Sequence, residues 1–409
     1  MNCSWNNDPA GPTVESMPSA RPPIAVIAVY GLVFFAELGQ SMLFPLVPAV
    51  AREFALSPSE SGSLLATATL ATLVMAVPAG LLAERLGALS VSIAAGGLLA
   101  VSAVVQALAT DFTTFLAGRV LFGLAFATIW TAGVTLLSAG PGTGVKSAVG
   151  GTVTVGGLAH LVGPPLSGFL TELAGRDLPF LLMAGGAIAV TLAIAAARGG
   201  DPRSSASLDL RAAGRAVRRD PVLRSATVLI AFVGALSGMV PLVVPMLLDR
   251  DGFSSGEIGA VFAAGSAVWV CASAVAVRVG ARAVTVGVAG TGLVLLAAAA
   301  LVPVLALATP CLVAFVVLRA GIQAPLSTIN YELGASGARS AGVAVGAAMG
   351  VLNLVWAACA AASPLLAGAL VEQAGARWVF VAVALGSAAA GLWMRAPLRP
   401  PGRAVLHAG

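Results

Sequence analysis

Three ionisable residues stand inside long apolar runs of this 409-residue sequence: Glu37, Arg119 and His160. Charge is expensive in hydrocarbon, so each is a functional candidate by default. Glu37 lies near the middle of the first run, about 20 Å from its start at 1.5 Å per residue. Tyr30, Phe34, Glu37 and Ser41 share one helix face by i, i+4, i+7, i+11 spacing, with Gln40 adjoining. That face reads as the wall of a cavity. A carboxyl group there suits reversible protonation near neutral pH, and so coupling to protons or another cation. Two other roles are open to it: a permanent ion pair, for example with Arg119, or an acid accommodated at the membrane interface. Arg119 keeps its charge and therefore needs a partner. It lies about 10 Å below the outer end of the fourth run. His160 is central in the fifth run, and imidazole titrates near physiological pH. A proton relay and a hydrogen-bonded packing role are both open to it. Trp130, Gln323, Asn330, Tyr331, Asn353 and Trp356 are polar or aromatic groups in or beside runs four, ten and eleven. They are candidates for lining a substrate cavity.

The elements that must position these groups are membrane-spanning helices. The chain is 58% hydrophobic and 10% charged, with mean hydropathy +0.98. A water-soluble domain carries about a quarter charged residues. A span needs about 20 apolar residues. Twelve candidates occur, at roughly 24–47, 61–82, 88–109, 113–138, 147–170, 178–197, 223–248, 257–278, 282–305, 308–330, 342–371 and 377–394. The net charge of +5 is no sign of nucleic-acid binding, because the cations fall in alternate loops. With the N-terminus in the cytoplasm, most arginines face inward, and Arg52, Arg176, Arg250 and Arg377 face outward. The even number of spans then places the C-terminus inside as well.

This reading divides the chain into an N-terminal tail (1–23), a six-helix half (24–197), a basic linker (198–222), a second six-helix half (223–395) and a C-terminal tail (396–409). The linker could hold a short amphipathic helix at 208–219 on the inner membrane surface near anionic lipid. The other reading is a solvated connection that simply fixes orientation. The halves repeat. Gly168 to Gly175 matches Gly368 to Gly375 at an offset of 200, with Glu172 on Glu372, Pro164 on Pro364 and Arg119 on Arg319. Ser57, Glu60 and Gly62 are echoed by Ser254, Glu257 and Gly259.

Gly80-Leu-Leu-Ala-Glu84-Arg85-Leu-Gly87 joins the second and third runs. A glycine-bracketed charged turn between apolar helices makes an antiparallel hairpin; Gly80 permits close helix approach and Gly87 a positive φ. The stretch resembles the G-x-x-x-(D/E)-R-x-G-(R/K)-(R/K) loop of the major facilitator superfamily, although Ala88 and Leu89 stand where its two basic residues would be. Gly118-Arg119 through Gly123 resembles that family's R-x-x-x-G element in helix 4. Gly150, Gly163, Pro164 and Gly168 resemble the glycine–proline element of its drug/proton antiporters, with Ala159 and Ser167 at two usual glycine positions. Small residues and proline there allow close packing and bending, which could gate one side of a cavity. The resemblance covers the chain from about residue 24 onward. It implies an all-α membrane fold of 12 transmembrane helices in two pseudo-symmetric six-helix halves. It also implies that Arg119 tunes Glu37 or binds an anionic substrate.

The functional expectation is a secondary active transporter, monomeric, in a bacterial inner membrane. It would export small lipophilic compounds in exchange for protons by alternating access, with the proton gradient as energy source and no cofactor. A proton-linked importer or facilitator of a sugar or other small solute is one alternative; a non-transporting sensor or scaffold is another. Histidine occurs only as His160 and His407, and no metal motif or catalytic set is present. Lys146 lacks the spacing of a phosphate loop, which argues against ATP-driven transport.

Overall fold

The structure is a computed structural model that describes residues 23–138, 145–197, 210–279 and 284–396. The predicted tails, and most of the linker before residue 210, lie outside those residues. The described chain is helical throughout. The first half comprises α1 (Pro23–Ser41), α2 (Leu43–Glu53), α3 (Pro58–Leu86), α4 (Ala88–Ala107), α5 (Phe112–Ser138), α6 (Val145–Ala174) and α7 (Asp177–Ala196). A short α8 (Leu210–Arg219) follows. The second half comprises α9 (Pro221–Arg250), α10 (Ser255–Val279), α11 (Val286–Leu305), α12 (Thr309–Ser340), α13 (Val345–Ala374) and α14 (Ala376–Arg395). Eleven of these helices are long and apolar enough to cross a membrane, and the bent pair α1 and α2 forms a twelfth span.

That bend is 46° and falls at Met42. Pro45 explains it, because proline cannot donate to the carbonyl four residues back and its ring crowds that carbonyl. Ser167 of α6 donates to the Met42 carbonyl at the bend (2.8 Å). The first span therefore continues well past residue 47, to Glu53. The tenth predicted run also extends, through Asn330 and Glu332 to Ser340. The apolar run ends near Asn330, whereas the helix continues and packs on the starts of α9 and α13.

Capping residues set where several spans begin. Ser57 and Glu60 form a reciprocal capping box at α3, and Ser254 and Glu257 repeat it at α10. Asp220 caps α9 through Leu223 N–H (2.7 Å). Gly87 has φ 90° and serves both the end of α3 and the start of α4, as the hairpin motif predicts.

Of the two readings of the linker, the structure has the helical one from Leu210 on, as α8, and its apolar side is not left for lipid. Ala216 and Val217 pack with Leu223, Ala338 and Ala348, at the start of α9 and between α12 and α13.

We call the end where α1 starts and α14 stops the terminus end, and the opposite end the far end. The two halves meet closely at the far end. A Cβ on Gly62 or Gly368 of one half would collide with backbone of the other at Pro364 or Pro58. Gly259 and Gly168 are in the same relation to Pro164 and Ser255. One apolar cluster runs through this seam, joining Leu43, Leu46, Val47 and Val50 of α2 to Leu236, Val240 and Val244 of α9. Close to the terminus end a Cβ on Gly80 or Gly150 would meet nothing within 4 Å. The expectation of tight packing at those two glycines is thus not met in this state: both lie where no other helix approaches their missing side chain.

Candidate functional site

Glu37 is 8% exposed, and two side chains from other helices converge on it. The Trp130 indole of α5 donates to Oε1 at 2.6 Å. His160 of α6 places Nδ1 3.6 Å from Oε2. The same Nδ1 lies 3.1 Å from the Gly156 carbonyl. A carbonyl only accepts, so that geometry puts a proton on Nδ1. Gly156 makes room for the acid: a Cβ there would stand 3.3 Å from Glu37 Cγ. The site is thus assembled from α1, α5 and α6, each contributing one group at membrane depth.

His160 also touches the opposite half. Its carbonyl accepts from Ser266 of α10 (3.0 Å). Phe44 of α2 lies against its ring (6.1 Å between centroids) and against Phe262 of α10 (5.4 Å). A change at the Glu37–His160 pair therefore reaches the seam between the halves through contacts of one residue.

Arg119 does not pair with Glu37. It is fully buried, its Nε donates to the Leu64 carbonyl at 3.0 Å, and its guanidinium lies 4.8 Å from the Phe122 ring centre. Its two terminal nitrogens have no hydrogen-bond partner. Among the described residues the basic side chain beside Glu37 is His160, and the sequence could not rank it against Arg119 because it gives no depth match between helices. Arg319, the repeat mate, is half-buried and donates to Gln323 at 2.6 Å.

The remaining candidates separate. Tyr30 and Phe34 are half-buried against the core of the first half, and Gln40 is half-buried. Ser41 is not a cavity-wall group: it is buried and donates to the Ala159 carbonyl of α6 (3.2 Å). Gly163 faces Ser41 and Leu38, which explains its lack of a side chain. Gln323 is buried and donates to the Val233 carbonyl of α9 (3.2 Å). Asn330 is fully enclosed, with neither side-chain polar atom hydrogen-bonded, so it is not open to a cavity in this state. Asn353 is exposed, and Trp356 is packed against the core of the second half. Glu84 is half-buried and Arg85 exposed, and neither takes part in the ion pairs among the described residues.

Two charge sites escaped the sequence reading. Arg176, expected as an outer loop cation, is 9% exposed. It pairs with Glu53 at 2.6 Å and lies over Phe54 at 4.9 Å. Arg52 of α2 pairs with Asp249 of α9, across the seam. The inverted charge order of Arg52-Glu53 and Asp249-Arg250, at equivalent positions of the repeat, was the available signal.

Twelve spans in two related halves, closed at one end, with a buried acid beside a half-buried histidine at membrane depth, define a polytopic transport protein. The sequence model of the Major Facilitator Superfamily matches residues 29–358, and the chain belongs to that family. It is a membrane transporter of a small-molecule substrate. No curated protein matches it by sequence. Solved structures share its fold. A bacterial homologue of the human lysosomal transporter Spinster, inward-facing and unoccupied, is 15% identical, with 91% of this chain and 96% of that one covered and a TM-score of 0.75. The nucleoside transporter NupG is 12% identical over 92% of this chain and all of its own, with a TM-score of 0.72. The human organic anion transporter MFSD10 (TETRAN) is 19% identical over 91% of this chain and all of its own, with a TM-score of 0.65.

Proposed function

We propose that this transporter exchanges protons for small lipophilic compounds, exporting them across a bacterial inner membrane. The observation that carries the reading is the enclosed Glu37 carboxylate with His160 Nδ1 beside one oxygen and the Trp130 indole on the other. Trp130 can hold Oε1 in either protonation state of the acid, which leaves Oε2 as the atom that takes and releases the proton. A proton on Oε2 cancels the attraction to His160. The loss is felt at the Ser266 and Phe262 contacts of α10. Substrate and proton then bias the two facing states in opposite directions, which is all that exchange requires. The glycine–proline pattern of α6 supports export. The scarcity of fixed charge among the cavity candidates supports a lipophilic or weakly polar cargo.

With both termini in the cytoplasm, as the arginine distribution favours, the far end faces out. The state described is then closed to the outside. The halves would be residues 24–197 and 223–395, rocking about a site that one polypeptide completes, so a monomer suffices.

The test is proton movement in reconstituted vesicles. A pH-sensitive dye reports it while lipophilic cations, neutral antibiotics and sugars are added, with wild type beside Glu37→Gln. Substrate-induced proton release that vanishes in the variant is the expected result. Substrate flux without proton movement would replace exchange by facilitated diffusion, and sugar accumulation would replace export by import.

A further inference from the structure

We propose that Arg52, Asp249, Glu172 and Glu372 set which end of this transporter is closed, by clasping one half to the other at the far end. The proposal does not depend on which substrate or ion is carried.

The first clasp lies at the centre of the seam. Arg52 is the last residue but one of the first span and Asp249 of the seventh, at equivalent positions of the internal repeat. Their side chains form an ion pair. Two equivalent positions touch only where the pseudo-twofold axis passes between them. This pair therefore marks the axis.

The other two clasps flank it. Glu172, near the end of α6, accepts a hydrogen bond from the Gly256 N–H of α10 through Oε1 (2.7 Å). Glu372, near the end of α13, accepts from Ser59 Oγ of α3 (2.5 Å), with the Ser59 N–H at 3.4 Å. Gly256 and Ser59 are each the second residue of their helix. The first turn of a helix exposes N–H groups without intrahelical partners and carries a partial positive charge. Each capping box spends its serine on the third residue, Glu60 or Glu257. The N–H of the second residue stays free, and the carboxylate from the opposite half takes it.

Backbone proximity makes the reach possible. Gly168 and Gly368 stand one helical turn before the two acids, on the same face. They let α6 and α13 lie directly on the starts of α10 and α3. Gly256 itself is a fit for its partner, since a Cβ there would come 2.9 Å from Glu172 Oε1.

All three clasps lie where water reaches them; Arg52 is 62% exposed. Exposed pairs of this kind shift an equilibrium only a few-fold each. That suits a gate that must break and reform in every cycle: several weak clasps close it, and no single one locks it.

The experiment uses the full-length protein in lipid nanodiscs, with its native cysteines replaced by serine. Spin labels go on cysteines at Thr110 and Ala308, exposed positions in the far-end loops of the two halves. A second pair, at Leu86 and Arg339, reports the terminus end. Arg52→Asp and Asp249→Arg each place like charges on the axis. Either should lengthen the far-end distance and shorten the terminus-end distance, raising the far-open population roughly three- to fivefold. Combining them restores the opposite-charge pair and should return both distances to wild type. Glu172→Gln with Glu372→Gln should open the far end without disturbing the axis. Unchanged distances in the single reversals and in the glutamine pair would overturn the proposal. So would lengthening at both ends, which is loosening rather than rocking. A double charge reversal that stayed open would remove the Arg52–Asp249 pair from the device.

Discussion

The two oxygens of Glu37 face groups of different kinds. One receives the indole N–H of Trp130 at 2.6 Å, and the other lies 3.6 Å from the imidazole Nδ1 of His160. A carboxyl built for permanent pairing would have an arginine fork on both oxygens. Arg119 is the residue that could have supplied one, and it points elsewhere, onto Leu64 and Phe122. Placing an arginine at membrane depth costs about 2.5–3.5 kcal/mol by insertion scales. One carbonyl hydrogen bond and a cation–π contact offset part of that cost. The absence of a direct pair has a measurable consequence. Glu37→Gln and Arg119→Met should affect thermal stability additively, within about 0.5 kcal/mol, in a double-mutant cycle. A coupling above about 1 kcal/mol would return the two residues to one pair. The acid itself was legible in the sequence, because a charge inside an apolar run is conspicuous. Its partners were not: Trp130 and His160 are 93 and 123 residues away, and only the packing of α1, α5 and α6 brings them to it.

Among the helices, the distribution of tight and loose contacts is informative. Gly168 and Gly368 are pressed against backbone, whereas Gly80 and Gly150 have open space where a side chain would be. Gly168→Ala or Gly368→Ala should destabilise this state by about 1–3 kcal/mol, the usual cost of overpacking. Gly80→Ala should leave its melting temperature unchanged, checked by thermal unfolding in detergent. If Gly80→Ala nonetheless slows transport, the glycine is needed in the opposite state. A second prediction concerns the start of α5. Thr114 donates to Asp111 through its backbone N–H (2.8 Å) and its hydroxyl (2.7 Å). Those bonds hold the Asp111 carboxyl below its ordinary range. The cap therefore stabilises the helix above the unfolded carboxyl's range and is lost as pH falls through the lowered value. Asp111→Ala should melt earlier than wild type at neutral pH and together with it in strong acid. The twelve spans were legible because each is a long, predominantly apolar run. The bend at Met42 and the extension of α12 to Ser340 were not. The first depends on where Pro45 falls in the span, and the second on a helix continuing past the apolar boundary.

Across the whole molecule, the repeat detected in the sequence turns out to be a set of contacts. Pro164 meets Gly259, and Pro364 meets Gly62; Glu172 reaches α10, and Glu372 reaches α3. Residues that recur at equivalent places in the two halves do so because each half docks on the other by the same surface. A sequence repeat shows that the halves share a fold. Which repeated residues touch is fixed by the position of the axis, and no offset in the sequence reports that.

The pair on the axis has one more implication, for how the halves choose each other. Two copies of the first half would set Arg52 against Arg52, and two copies of the second would set Asp249 against Asp249. Only the mixed pairing puts opposite charges together, so these two positions discriminate against like-with-like assembly. If residues 1–209 and 210–409 are expressed as separate chains in one cell, they should co-purify as a one-to-one complex. Carrying Asp249→Arg into the second chain should weaken that recovery, and adding Arg52→Asp to the first should restore it. The ancestry of such a fold would then be written at its centre: a self-associating half became two halves able to recognise only each other.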